Sequence, residues 1–246
     1  MKMNKTHYIV LALCFLFHAC KKDDTIENID SLAKLVAANA IEIDNVIACA
    51  SGSKTDDSMT ITYVYPRSGA TGLSYYETID ASVDKDNYAN YIKIDIEASD
   101  VFNGYLKKFT RSNIQEKWVI ITFFEDNKLH LSNPIRLKHR SKPTEFIGMV
   151  EIDAEMERMP VFQWQDGIYE DNRIYFQVIS DDNNDLLSGT YTFEKQFQYY
   201  KLENVVLNIS AEMPPQLNPT DIYNFTLMGV SEDNWVNLFV EKRFTP

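Results

Sequence analysis

The chain has 246 residues, 24 Lys+Arg against 36 Asp+Glu, and a formal net charge of -12. Such acidity, with no arginine-rich stripe to offset it, repels phosphate backbones and argues against nucleic-acid partners. Of three cysteines, Cys14 and Cys20 belong to an N-terminal segment read below as signal and anchor, which leaves Cys49 without a partner, so the fold is expected to rest on a core drawn from the 45% hydrophobic content.

Lys2 and Lys5 precede an apolar run, Tyr8 to Phe17, and small Ala19 sits at a cleavage position. This is the layout of an export signal over residues 1–19. Ten residues at about 1.5 Å each span about 15 Å, half of a bilayer core of about 30 Å, too short for a transmembrane helix. Cleavage before Cys20 lowers Lys+Arg from 24 to 22 and moves the net charge from -12 to -14. An ordinary secretory signal with an incidental cysteine is the alternative, and Cys14 is a rival acceptor with a shorter apolar run before it.

Ala19-Cys20 resembles a bacterial lipobox, with Phe17 and His18 in place of the usual leucine and small residue. The resemblance implies lipidation of Cys20 and anchorage to a membrane through that lipid. Lys21, Lys22, Asp23 and Asp24 resemble the surface-export signal of Bacteroidota lipoproteins. That implies an outer-membrane protein facing the cell exterior; a periplasm-facing anchor is the alternative. Asp24-Thr25-Ile26, Asp30-Ser31-Leu32 and Asp57-Ser58-Met59 resemble the short O-glycosylation motif of the same group.

Residues 20–44 are expected to form a lipid-anchored tether with a short helix. Its helical spacing comes from Leu32, Leu35, Val36 and Asn39, with Asp30 or Ser31 as cap.

From Met59 the pattern changes to short strands rich in aromatic and β-branched residues: Thr60–Pro66, Leu73–Ser82 and Tyr91–Ser99. The last alternates strictly and predicts a strand with one buried face. KWVIITFFE, the turn Asp126-Asn127-Lys128 and LHLSNPIRLK predict a hairpin. His139 to Phe146 is polar and carries Pro143, which predicts a linker or domain edge.

Six strand-length runs follow in the second half: VFQWQ, RIYFQVIS, LLSGTYTF, YKLENVVLNIS, IYNFTLMGVS and WVNLFVEKRF. Short strands at this spacing, without βαβ alternation, predict an all-β chain of two consecutive antiparallel β-sandwiches, residues 45–146 and 147–246. The first is expected to be immunoglobulin-like.

Around QLNPTDIYNF the second resembles the fibronectin type III pattern, with Leu217 six residues before Tyr223 and Pro219 between them. The resemblance implies a corner tyrosine at Tyr223 and an early core tryptophan at Trp164. It carries no function with it.

Chemistry is sparse. His130 and His139 are the only histidines after cleavage, no cysteine ligand accompanies them, and no metal or cofactor is expected. Cys49, in VIACA, is expected to be a small buried hydrophobe. Ser51 to Lys54 matches the letters of SxxK without its partner motifs. Asp181 to Asp185 misses the EF-hand glycine and glutamate and is expected to be an acidic hairpin tip. Counting alone leaves a glycosidase carboxylate pair open.

The best candidate for ligand binding is Trp235 with Asp233 and Asn234, a tryptophan at a turn beside hydrogen-bonding groups that could stack on a sugar; packing over the sandwich end is the bland alternative. The expected function is therefore a non-enzymatic surface binding module for a glycan or protein. An assembly scaffold of an outer-membrane complex is the alternative, with a glycan-active hydrolase third.

Overall fold

The computed structural model describes residues 31–146, 148–156, 158–201, 207–208 and 213–246; the signal, Cys20, Lys21, Lys22, Asp23, Asp24 and Thr25 lie outside them. The chain is all-β, two consecutive sandwiches, and among the described residues it has one short α-helix, α1 (Leu32–Ala37). Among the described residues no helix is long and apolar enough to cross a membrane.

The first sandwich has nine main strands. They are β1 (Ile41–Val46), β2 (Ala48–Gly52), β3 (Met59–Val64), β4 (Thr71–Glu77), β5 (Ile92–Ile94), β6 (Ser99–Val101), β7 (Leu106–Ser112), β8 (Trp118–Glu125) and β9 (Lys128–Ser132). One sheet runs β1-β9-β8-β4-β5, with the short β10 (Ile135–Arg136) also on β8. The other runs β2-β3-β7-β6. With β3 and β4 as strands B and C, this is the A-B-E-D sheet of an immunoglobulin sandwich facing its G-F-C sheet.

Val64, Tyr75, Phe109, Ile121 and Phe123 fill the space between the sheets. No disulfide joins them; instead Arg111 of β7 donates two hydrogen bonds of 2.8 Å to the buried carboxylate of Glu77 on β4.

Sequence and structure differ here in three places. The tether ends early: Leu32 N donates to Tyr91 O and Leu32 is fully buried, so the chain joins the first sandwich from Ser31, and β1 begins at Ile41. Of the stretch expected to hold the helix, only Leu32–Ala37 forms it, and Leu32 packs on the outer face of the first sheet with Tyr91 and Ile120.

Secondly, β1 pairs with β9 in parallel, whereas the other strand pairs among the described residues are antiparallel. The third concerns Tyr91–Ser99, which is two strands. Its alternation is real, but the chain leaves one sheet after Ile94 and enters the other at Ser99.

The turn Asp126-Asn127 has φ of 50° and 60°, the double left-handed conformation that a two-residue hairpin needs.

The second sandwich places β11 (Val150–Asp153), β12 (Val161–Trp164) and β15 (Gln196–Gln198) in one sheet. The other holds β16 (Leu207–Asn208), β14 (Leu186–Thr192), β13 (Asn172–Asp181), β17 (Tyr223–Ser231) and β18 (Val236–Phe244), in that order. β11 and β15 had no signal in the sequence, being a polar VEID and a QFQ.

Phe162 and Phe225 stack at 4.2 Å between centroids, and Trp164 and Leu217 are buried with them. Tyr223 opens β17, and its hydroxyl accepts the backbone N–H of Asn218 at 2.8 Å, closing a corner over the core.

The two sandwiches lie side by side. Alternate residues of β2 and β3 that do not face their own core, Cys49 and Tyr63, pack against Phe176, Met228, Val230 and Phe239 of the second sandwich. Tyr65, Phe102 and Leu106 likewise meet Val178 and Leu186. Four sheets are thus stacked, with three apolar layers between them. Burying both faces of the middle two sheets makes the domain junction a further core rather than a hinge.

The segment 139–146 is part of this junction and no free linker. Thr144 Oγ1 accepts from Gly52 N and donates to Val236 O, while Glu145 exchanges backbone bonds with Asn237 and Phe239.

Candidate functional site: a cleft where the sandwiches meet

Trp235 is not the exposed platform that its turn position suggested. It is fully buried in the core of the first sandwich, against residues such as Ala50, Phe123 and Ile135. Its Nε1 donates to Lys142 O at 2.7 Å, and Ala50 N bonds Asn234 O at 3.0 Å.

The β17–β18 loop is therefore a plug inserted from one sandwich into the end of the other. Its three-residue turn closes through Ser231 N to Trp235 O, with Asn234 at φ 60°. The same letters EDN make a two-residue turn at Glu125 and this three-residue loop at Glu232. Local sequence does not separate the two; the extra residue is what aims Trp235 across the junction. Burying an indole of this kind contributes about 4–6 kcal/mol.

Asp233 and Asn234 have a different fate. Both line an open polar cleft of about 760 Å³ between the sandwiches. Asp233 pairs with Lys138 at 2.6 Å and accepts from Ser231 Oγ at 2.7 Å.

The aromatic residue here is Trp118, half-buried at the start of β8. Its indole N–H is tied to Ala81 O at 3.2 Å and the Arg136 guanidinium stacks over the ring at 5.6 Å, so its orientation is set in advance. In the sequence Trp118 shows only as the residue that opens the apolar run of KWVIITFFE. The available signal was its position on the border between a polar loop and a hydrophobic run, where one ring edge stays wet.

The cleft's volume falls in the range of small-molecule sites. Its charges are balanced and mostly engaged: Asp171 pairs with Lys142, and Glu232 with Arg173 at 3.6 Å. A neutral, hydroxyl-rich ligand suits such a surface, because paired ions still offer lone pairs and N–H groups for hydrogen bonds.

Elsewhere the candidate groups are committed. Arg67 Nη2 donates to His130 Nδ1 at 3.0 Å, which makes that nitrogen an acceptor and leaves Nε2–H for the Glu125 carbonyl at 3.3 Å. His139 is buried and its Nε2 bonds Asn113 O at 3.1 Å. Burial pushes the imidazole pKa down, against the opposing effects of that bond and of Glu116.

Ser51 lies buried in β2, donating to Gly52 O at 2.9 Å. Asp181 accepts the N–H groups of Asn183 and Asp185, and Asp182 pairs with Arg243. Ser58 donates its hydroxyl to Asp56 at 2.7 Å. No group of metal-ligating side chains is assembled among the described residues.

An apolar crevice between the sandwiches, about 40 Å³ and lined in part by Cys49 and Met228, is too small for a ligand. Burial there pushes the Cys49 thiol up to about 12.

No family model and no curated protein matches the chain. Solved structures do. The FN1–FN3 domains of chicken CNTN1 align over 84% of this chain and 67% of that one, at 10% identity and a TM-score of 0.27. A cytokine receptor complex aligns over 81% and 96%, at 10% identity and a TM-score of 0.29. Overlaps this loose carry no functional information; the sandwich assignment stands on strand order and core.

Proposed function

We propose that the protein is a non-enzymatic binding module, anchored by a lipid on Cys20 to the outer membrane and facing the cell exterior, that holds neutral polysaccharide in the cleft between its sandwiches. The observation that carries the ligand reading is the pre-oriented, half-buried Trp118 in a polar cleft of about 760 Å³. Aromatic faces supply area against the apolar face of a sugar ring, and the surrounding polar groups set its orientation.

The absence of catalysis is supported by how the cleft's acids are used. Asp233, Asp171 and Glu232 each pair with a cation, Lys138, Lys142 and Arg173 respectively, and are engaged in those ion pairs. The anchor rests on Ala19-Cys20 and on the charges of Lys21, Lys22, Asp23 and Asp24, all outside the described residues.

Binding of the full-length protein to a panel of uncharged polysaccharides tests the reading. Trp118→Ala should weaken retention about tenfold or more, with thermal melting used to show that the fold survives. A panel with no binder would move the assignment to a scaffold. Product release from any of these polysaccharides would make it an enzyme. Palmitate labelling that depends on Cys20, lost when intact cells are shaved with protease, tests the location.

A further inference from the structure

The cleft does not end at the domain junction. Lys85, Asn133 and Pro134 form one wall of it and also one wall of a second hollow of about 390 Å³ on the first sandwich. That second hollow carries its own half-buried aromatic, Tyr88, beside the exposed Ile43.

Backbone geometry marks both compartments. Asn234 of the cleft has φ 60°, and Asp44 of the hollow has φ 56° inside β1, at the register shift between Glu42 and Val46. A β-bulge at a sheet edge bends the strand and redirects side chains; here it puts Ile43 and Asp44 on the rim of the hollow.

Resting on the polysaccharide reading above, we propose that the two compartments form one continuous groove for a linear, uncharged oligosaccharide. Trp118, by the ring face that Arg136 does not cover, and Tyr88 serve as its two stacking platforms, and Lys85, Asn133 and Pro134 form the wall the two compartments share. Two separate aromatic faces along one groove suit successive rings of a chain, whereas a single terminal sugar needs one. The charge of the lining selects against anionic chains. Acids and bases balance within the cleft itself, but Asp44 and Asp86 of the hollow tip the combined lining to five carboxylates against Lys85, Lys138 and Arg173, on a molecule that is already acidic overall. Carboxylates accept hydrogen bonds readily from sugar hydroxyls and repel uronates.

The test is a chain-length series: gluco-, xylo- and manno-oligosaccharides from dimer to octamer, with oligogalacturonates as the charged control, titrated calorimetrically into the full-length protein. Affinity should rise with length until both compartments are filled and then level off, with the galacturonates unbound. Tyr88→Ala should flatten the curve, costing long chains about tenfold. Tyr88→Trp should restore the rise, which separates a platform from a packing role.

A length-independent affinity, or long chains held equally by Tyr88→Ala, would overturn the continuous groove while leaving the cleft at Trp118 standing. Preference for galacturonates would overturn the uncharged assignment. Failure of every oligosaccharide would remove the polysaccharide reading and this inference together.

Discussion

The indole Nε1 of Trp235 donates to the backbone carbonyl of Lys142 at 2.7 Å, joining the last hairpin of one sandwich to the segment that enters it from the other. The ring above that bond completes the core of the first sandwich, so one side chain closes a core and fixes a domain junction. Trp235→Ala should cost about 3–5 kcal/mol. Urea unfolding should show it, with the two sandwiches losing their common transition. Trp235→Phe keeps most of the packing but strands the Lys142 carbonyl, at a cost of about 1–3 kcal/mol.

Tyr223→Phe removes the acceptor for Asn218 N and nothing else from the corner. The expected loss is about 1–3 kcal/mol, read as a lower urea midpoint at unchanged slope. An unchanged midpoint would mean that the ring alone holds the corner.

Glu77 ties the two sheets of the first sandwich, with Arg111 at 2.8 Å and Lys117 at 2.5 Å. Burial raises its pKa, but the bonds from Arg111 and then Lys117 outweigh that and leave it below the ordinary value of 4.5. The stabilisation is therefore complete above that value and disappears as pH falls through the lower, folded value. Glu77→Gln leaves two cations short of a counter-charge. Because both remain partly wet, the loss should lie near or below the lower end of about 3–5 kcal/mol. The variant should also lose part of the wild-type acid sensitivity in melts below pH 4.5.

His139 sets an earlier step in the same profile. Its pKa is lowered from 6.5 chiefly by burial, so the unfolded chain binds the proton more readily. Stability is full above pH 6.5 and declines as pH falls from there toward the folded value. His139→Gln, which can still donate to Asn113 O, should flatten the melting temperature across that interval. Equal pH slopes for the two proteins would refute the assignment.

Strand identity was legible wherever a run was long and apolar. WVIITFF, YNFTLMG and RIYFQVIS became β8, β17 and β13 because a strand buried on both faces requires apolar residues at every position. The corner at Tyr223 was legible too, since it is a local arrangement of Leu217, Asn218 and Tyr223. Pairing decided what local pattern left open. Val150–Asp153 and Gln196–Gln198 are strands only because β12 lies between them. Tyr91–Ser99 divides because its two ends find partners in different sheets.

The site follows the same division. Residue counts by themselves determined the acidic character and the scarcity of cysteine, and the spacing of strand-length runs from Met59 onward determined the all-β class, because these are properties of composition and short-range pattern. Which tryptophan meets solvent was settled only by the tertiary structure. Trp235 sits between Asn234 and Val236 in a turn that looks exposed, yet the neighbouring sandwich supplies the pocket that buries it. Trp118 opens a core strand, yet the space left between the sandwiches keeps it half-buried on a polar cleft. Exposure of a side chain is a property of what packs against it, and here those partners lie about a hundred residues away, as in Lys142 and Trp235, 93 positions apart.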